Sequence, residues 1–353
     1  MLLFAFAGCD VHEFPEESND KVAFLLHLDF NTEMPIYKEI TYTRNACAEA
    51  KREFEQHDIR YTINAYRAKS ASSENRIADA TFVFTKPDAT DLNYTAQLKL
   101  PEGTYNFKVW ADYVDAHSTD DKYYDTHDFS EIILKNKDNH SGSNDYREAF
   151  RGYASATVTN AAYYTGCIAN SIDNQATAEM KRPMGKFKFI STDVEAFLNR
   201  VAAMTQKQDE SANAEANSKE HYGQMLHDIN FNDYYVVIRY NAFMPCSFNL
   251  FTDKPADSWT SISFVSPMVI EGEREITLGY DYIFVNGSET TLSVSLEVYN
   301  KEGKLMSSTN QINVPIVRSK LTVVKGEFLT SKATDGVSIN PCYDGEDYNI
   351  EII

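Results

Sequence analysis

The sequence predicts an all-β fold of two tandem β-sandwiches with one short helix, and three observations lead to it. Apolar residues recur with period two along many short segments. These segments follow one another at about 8–12-residue spacing with turn residues between them. The composition holds 22 Tyr and 21 Phe against 2 Trp, an aromatic content that suits strands and sandwich cores. At 353 residues the chain is long enough for two domains of ordinary size, each with a core of its own. The expected limits are a leader and tether over 1–20, one sandwich over 21–160 and a second over 161–353, joined near residues 160–180.

Taken in order, Val22, Phe24, Leu26, Leu28 and Phe30 alternate along a first strand. Ile59, Tyr61, Ile63 and Ala65 mark another, and Phe82 with Phe84 a third. Leu92, Tyr94, Ala96, Leu98 and Leu100 then alternate with polar residues, and Tyr105, Phe107, Val109 and Ala111 follow the turn Pro101-Glu102-Gly103. Proline and glycine supply turn angles, so this pair predicts a hairpin. Ala154–Thr159 closes the first region. Arg182–Phe189 starts the next, followed by the one helical pattern: Thr192 and Glu195 in capping-box spacing, with Val194, Phe197, Leu198 and Val201 on one face. Gln206–Glu220 has no large apolar residue and reads as an exposed loop. Tyr234, Val236, Ile238 and Tyr240 resume the alternation. Ile276–Phe284, the turn Asn286-Gly287-Ser288-Glu289, Leu292–Val298 and the turn Lys301-Glu302-Gly303-Lys304 read as an antiparallel meander. Leu321–Leu329 and Tyr348–Ile353 end the chain as strands.

The formal net charge of −19 excludes nucleic acid as a partner, because a phosphate backbone requires a basic stripe. It also excludes adsorption of the protein surface to an anionic membrane. Membrane attachment therefore falls to the N-terminus. Met1-Leu2-Leu3-Phe4-Ala5-Phe6-Ala7-Gly8-Cys9 is too short to span a bilayer, which takes about 20 apolar residues. It resembles the end of a bacterial lipoprotein signal, which would make Cys9 the lipidated residue. Two features depart from that pattern: Phe6 stands where leucine is usual, and no Lys or Arg precedes the run, which points to a start codon placed late. The stretch Asp10–Asp20 carries Glu13, Glu16, Glu17 and Asp20. It looks like the acidic tether of surface-exported lipoproteins from Bacteroides-type bacteria, so an outer-membrane, surface-exposed location is expected. The remaining cysteines, Cys47, Cys167, Cys246 and Cys342, lack C-x-x-C or zinc spacing. An oxidising envelope would permit disulfides among them, but a chain of this size does not require staples, so buried free thiols are expected.

The C-terminal half resembles envelope lipoproteins of the fimbrillin and fimbrial anchor type. The residues that carry the resemblance are Phe243-Met244-Pro245 through Asp253-Lys254-Pro255, then Leu278–Asn286, and above all Asn313-Val314-Pro315-Ile316-Val317-Arg318 through Gly326-Glu327-Phe328-Leu329-Thr330. Pro101–Tyr105 through Trp110–Val114 is similar to that family's central hairpin. The resemblance implies two transthyretin-like, Greek-key sandwiches and a non-catalytic role in adhesion or fimbria-like assembly, with fimbrial subunits or a host or microbial surface protein or glycan as partners. Shaft subunits of that family are cut after Arg or Lys to free a strand-accepting groove. Here Lys21 is the only Lys or Arg between Cys9 and Val22, so an anchor, a tip or a stand-alone surface lipoprotein fits as well as a shaft subunit.

No phosphate loop, H-E-x-x-H, G-x-S-x-G or Cys/His cluster appears in the sequence, so no enzyme activity, cofactor, catalytic residue or metal site is expected. The densest polar stretch is Asp112, Asp115, His117, Asp120, Asp121, Asp125, His127 and Asp128. It reads as a solvated acidic loop, with a weak Ca²⁺ site as the alternative; the EF-hand glycine and spacing are absent. His27 reads as a packed or surface histidine. The doublets Tyr123-Tyr124, Tyr163-Tyr164 and Tyr234-Tyr235 put one ring on each face of a strand. The aromatic surplus motivates the other functional reading, a glycan-binding accessory lipoprotein of a polysaccharide-uptake system.

Overall fold

The structure is a computed structural model, and it describes residues 21–30, 57–68, 77–87, 91–160, 174–206, 230–271, 274–332 and 349–352. The expected signal and tether with Cys9, the polar stretch after Gln206, Cys47, Cys167, Cys342 and the Tyr163-Tyr164 doublet lie outside these residues. The first half contributes β1 (Val22–Phe30), β2 (His57–Arg67), β3 (Ala80–Pro87), β4 (Tyr94–Leu100) and β5 (Gly103–Asp115). Two short strands, β6 (Tyr124–Asp125) and β7 (Ile132–Leu134), precede β8 (Ala149–Val158) and β9 (Gln175–Met180). Next come β10 (Met184–Ser191), helix α1 (Val194–Gln206), β11 (Tyr234–Tyr240), β12 (Met244–Pro245), β13 (Ser247–Asn249), β14 (Lys254–Pro255) and β15 (Ser258–Trp259). The last group is β16 (Ser263–Pro267), β17 (Val269–Ile270), β18 (Ile276–Phe284), β19 (Glu289–Asn300), β20 (Leu305–Ser308), β21 (Ile312–Val317), β22 (Leu321–Gly326) and β23 (Asn349–Ile352). The fold is all-β, with α1 the single α-helix among the described residues.

The first core lies between the sheets β4-β1-β9 and β3-β2-β5-β8. Alternation along β1 turns Phe24, Leu26, Leu28 and Phe30 inward, where Phe24 stacks on Phe107 of β5 at 5.2 Å. β4 pairs with β1, Leu26 opposite Ala96, while β5 pairs with β2 and β8. The expected β4–β5 hairpin is therefore corrected. Pro101-Glu102-Gly103 carries the chain from one sheet to the other as an arch, with Gly103 at φ 148°. Both strands still present an apolar face to the same core, so the period-two pattern is common to hairpin and arch. β9 joins β1 in parallel, Leu28 opposite Ala178.

The second core lies between β17-β18-β10-β22-β23 and β16-β11-β19-β20, with β21 also on β19. The expected meander holds at its second turn, where β19 and β20 pair across Lys301–Lys304. It fails at its first, because β18 pairs with β10 and β19 with β11, so Asn286–Glu289 is a second arch. Within β18 the register against β10 shifts at Gly279, which has φ 151°. A Cβ there would meet Ile238 Cδ1 at 2.6 Å, so glycine permits both the bulge and the close approach of the opposite sheet. The expected capping box is also corrected. Helix α1 starts after Asp193, whose carbonyl accepts the Phe197 amide at 3.0 Å, while the Thr192 hydroxyl donates to the Gly326 carbonyl at 3.3 Å.

Two segments lie across the 160/161 limit read from sequence. β9 packs Ala178 and Met180 into the first core, whereas Tyr124, Phe129, Ile132 and Leu134 pack into the second. A further sheet, β14-β13-β7-β6, takes strands from both halves. Trp110 of β5 points away from the first core and into the second, 5.6 Å from Tyr124 and 6.3 Å from Phe284. For this reason β2 and β10 are buried on both faces, where a free-standing sandwich would leave one face in water.

Candidate functional site

The most concentrated buried polar chemistry lies where the segment His140–Glu148 meets the second sandwich. The bulge at Gly279 turns Asp281 toward the interior, opposite Phe187 of β10. Its carboxylate accepts from His140 Nε2 at 2.7 Å, the Tyr240 hydroxyl at 2.6 Å, the Tyr282 amide at 2.7 Å and an Nη of Arg147. The side chains of His140, Asp281 and Arg147 are 1%, 1% and 3% exposed. Burial pushes the Asp281 carboxyl up, but Arg147 and His140 outweigh it and hold the group below the usual carboxylate range. Burial, reinforced by Asp281, drives the Tyr240 phenol well above its ordinary value. On the other face of the sheet, Asp145 accepts from Lys186 Nζ at 2.9 Å and the Tyr282 hydroxyl at 2.8 Å, and Lys186 lies 3.9 Å from the Tyr280 ring centroid. Glu148 pairs with Arg182, both buried. Each charge has a counter-charge within reach, and the cluster binds one half of the chain to the other.

A second clasp forms on Asp253, which takes the forked guanidinium of Arg151 at 2.7 and 3.1 Å and Arg318 Nη1 at 2.7 Å. Arg318 also donates to the carbonyls of Asp253 and Val285 at 3.0 and 2.9 Å. Polar groups of the 313–330 segment also hold the fold together. Thr322 donates to the Pro315 carbonyl at 2.6 Å, and Asp193 accepts from the Leu329 and Thr330 amides at 3.2 and 2.7 Å. The segment holds two strands, β21 in one sheet and β22 in the other, joined by the turn at Arg318–Lys320.

The acidic stretch read as a solvated loop is partly interior. Asp112 is fully buried and takes Arg60 at 3.0 and 2.8 Å, and Arg60 reaches Asp121 at 2.7 Å. Burial pushes the Asp112 carboxyl up to about 6 against the pull of Arg60. Asp121, Asp125 and His127 bring ligand atoms within 4.8 Å of one another. They are the residues suited to hold a metal, although Arg60 and the Thr126 hydroxyl, at 2.8 Å, already occupy Asp121. Asp115 pairs with Lys122, the Asp120 amide donates to the Ser118 hydroxyl at 3.0 Å, and Asp128 accepts from the Ser130 amide at 2.7 Å. The amide of His117 donates to Asp58 at 2.9 Å.

His27 stands on the outer face of β1 between Thr95 at 3.0 Å and Gln175 at 3.2 Å, beside an open depression of about 330 Å³ that Asp29, Asn93 and Thr177 also line. The Tyr234-Tyr235 doublet divides as the alternation requires: Tyr234 packs on Phe197 at 5.3 Å and Tyr235 stacks on Tyr299 at 5.5 Å. Cys246 is a buried free thiol, pushed up to about 12 by burial. No described helix is long and apolar enough to cross a membrane. Sequence reading missed Arg60, His140, Arg147, Asp253 and Asp281. The available signal was a charged residue inside an otherwise apolar strand pattern, as with Asp281 in Leu278–Phe284.

No curated protein matches the chain. Among solved structures it is similar to the fimbrial anchor protein Mfa2 from Porphyromonas gingivalis, at 10% identity and TM-score 0.38, over 86% of this chain and 91% of that one. It is similar to a candidate cell adhesion protein from Bacteroides eggerthii at 12% identity and TM-score 0.42, over 94% of each chain. Another, from Bacteroides uniformis, has 9% identity and TM-score 0.40 over 96% of this chain and 99% of that one. A family model described only as a family of unknown function, DUF6562, matches residues 19–352, and the chain belongs to that family.

Proposed function

We propose that this protein is a non-catalytic envelope module for adhesion or fimbria-like assembly, held on the outer membrane by lipid on Cys9 and exposed at the cell surface. The observation that carries the reading is the segment Asn313–Thr330. It resembles the C-terminal segment of fimbrillin-type lipoproteins, and here it crosses between the two sheets of the second sandwich. The lipobox-like Ala7-Gly8-Cys9 and the acidic tether after it support the anchor. The partners are fimbrial subunits or a protein or glycan of a host or microbial surface. Two experiments test the reading. Labelled palmitate is expected to enter the protein and to be lost in Cys9→Ala, with the variant leaving the membrane fraction; unchanged fractionation would remove the anchor. Deleting the gene is expected to reduce adherence or the number of surface filaments, and no change in either would remove the adhesion reading.

A second reading, glycan capture for a polysaccharide-uptake system, has the polar depression beside His27 in its favour. Its hydroxyl, amide, imidazole and carboxylate groups suit a neutral polyol. A glycan array with no hit above background would dismiss it.

A further inference from the structure

We propose that the segment His140–Glu148 is an acid-sensitive latch, which fastens the first half of the chain to the second sandwich while His140 is neutral and releases it when His140 takes a proton. The inference rests on the geometry of the joint and does not depend on the proposed function.

The segment grips the edge of β18 beyond its pairing with β17 from both sides. The amide of Ser143 donates to the Tyr280 carbonyl at 2.7 Å, and the Tyr280 amide donates to the Ser143 hydroxyl at 3.2 Å. On the interior side His140 and Arg147 meet at Asp281; on the other side Asp145 meets Lys186 and Tyr282. Gly142 passes so close to the Phe264 ring that a Cβ would collide with it. The grip is therefore tight and short, and it is fastened mainly by charge.

His140 is the member whose charge can change near neutral pH. Its Nε2 lies 2.7 Å from Asp281 Oδ2 and 3.1 Å from Arg147 Nη1. The titratable groups facing it are Arg147 from its own segment, Asp281 from β18 and Tyr240 from β11. From β16 it meets only the Phe264 ring, at 5.8 Å between centroids. Lys186 of β10 lies on the far face of the sheet with Asp145. An imidazolium here would leave two cations sharing one carboxylate that Tyr240 also occupies, in a buried site where charges are weakly screened. Burial first, and Arg147 second, hold the ring below its ordinary 6.5.

The linkage sign follows. A released His140 titrates near 6.5 and a latched one lower, so the latched state loses ground as pH falls below 6.5. Glu148 and Asp112 act in the opposite sense, since burial raises both despite Arg182 and Arg60. Global stability sums these opposed contributions, and the latch must be read locally.

The test is amide hydrogen exchange on the full chain at about pH 7.5 and about pH 5, corrected for intrinsic rates. Residues 140–148 and 280–282 are expected to lose protection at the lower pH, by about tenfold for each unit by which the latched ring lies below 6.5, up to a limit of about 30-fold at pH 5. His140→Gln, which keeps a polar side chain and cannot charge, is expected to keep its protection at both values. Equal protection in the natural chain at both values, or the same loss in His140→Gln, overturns the latch. If that variant does not fold, the His140 ring titrated by NMR in the natural chain decides: a midpoint below 6.5 sustains the proposal and a midpoint at or above it overturns it.

Discussion

Asp281 shows how one residue comes to hold two halves of a chain together. A carboxylate in an apolar interior costs several kcal/mol unless it is paired and hydrogen-bonded, and here Arg147, His140, Tyr240 and a backbone amide all turn to it. Removing it strands the Arg147 cation, whose side chain is 3% exposed. Asp281→Ala is therefore expected to cost about 3–5 kcal/mol in urea unfolding. A loss below about 1 kcal/mol, the level of an exposed pair, would show that the cluster is not closed. Asp253 is 38% exposed, so Asp253→Ala is expected to cost about 1–2 kcal/mol despite its two arginines.

At the scale of elements, much of the fold was legible in the sequence, and what was not has a physical reason. Strand alternation placed β1, β4, β11 and β19 because a half-buried strand shows period two. The same pattern is silent about the partner of a strand. β4 with β5, and β18 with β19, face one core from opposite sheets, and a sequence shows only that both faces are apolar. The parallel pairing of β1 with β9 joins positions about 150 residues apart, and no local signal records that. The bulge at Gly279 interrupts the alternation of β18, and no local pattern announces that Asp281 will be buried beside the core. The arch makes a direct prediction. Leu25 and Gln97 stand opposite each other in β1 and β4, and the Leu25 amide bonds toward β9, so theirs is a closely spaced, non-hydrogen-bonded pair. Leu25→Cys with Gln97→Cys is expected to form a disulfide on mild oxidation, mapped by mass spectrometry. Failure of that bridge in a folded variant would contradict the pairing of β1 with β4.

At the scale of the molecule, the two cores are built to act together. Trp110 leaves a strand of the first core to sit in the second, and β6 and β7 share a sheet with β13 and β14. Such a joint predicts one cooperative transition. With Trp259→Phe leaving Trp110 as the remaining tryptophan, its fluorescence and far-ultraviolet circular dichroism are expected to change at the same denaturant midpoint. Two separated midpoints would mean that the sandwiches unfold independently.

The proposed adhesion role requires the protein to stand outside the cell, and proteinase added to intact cells, with blotting for this chain, measures it. The account predicts cleavage in intact cells of the natural protein, and loss of the cell-associated protein in Cys9→Ala. Protection in intact cells with cleavage only after lysis would place it inside the envelope and contradict a surface adhesin.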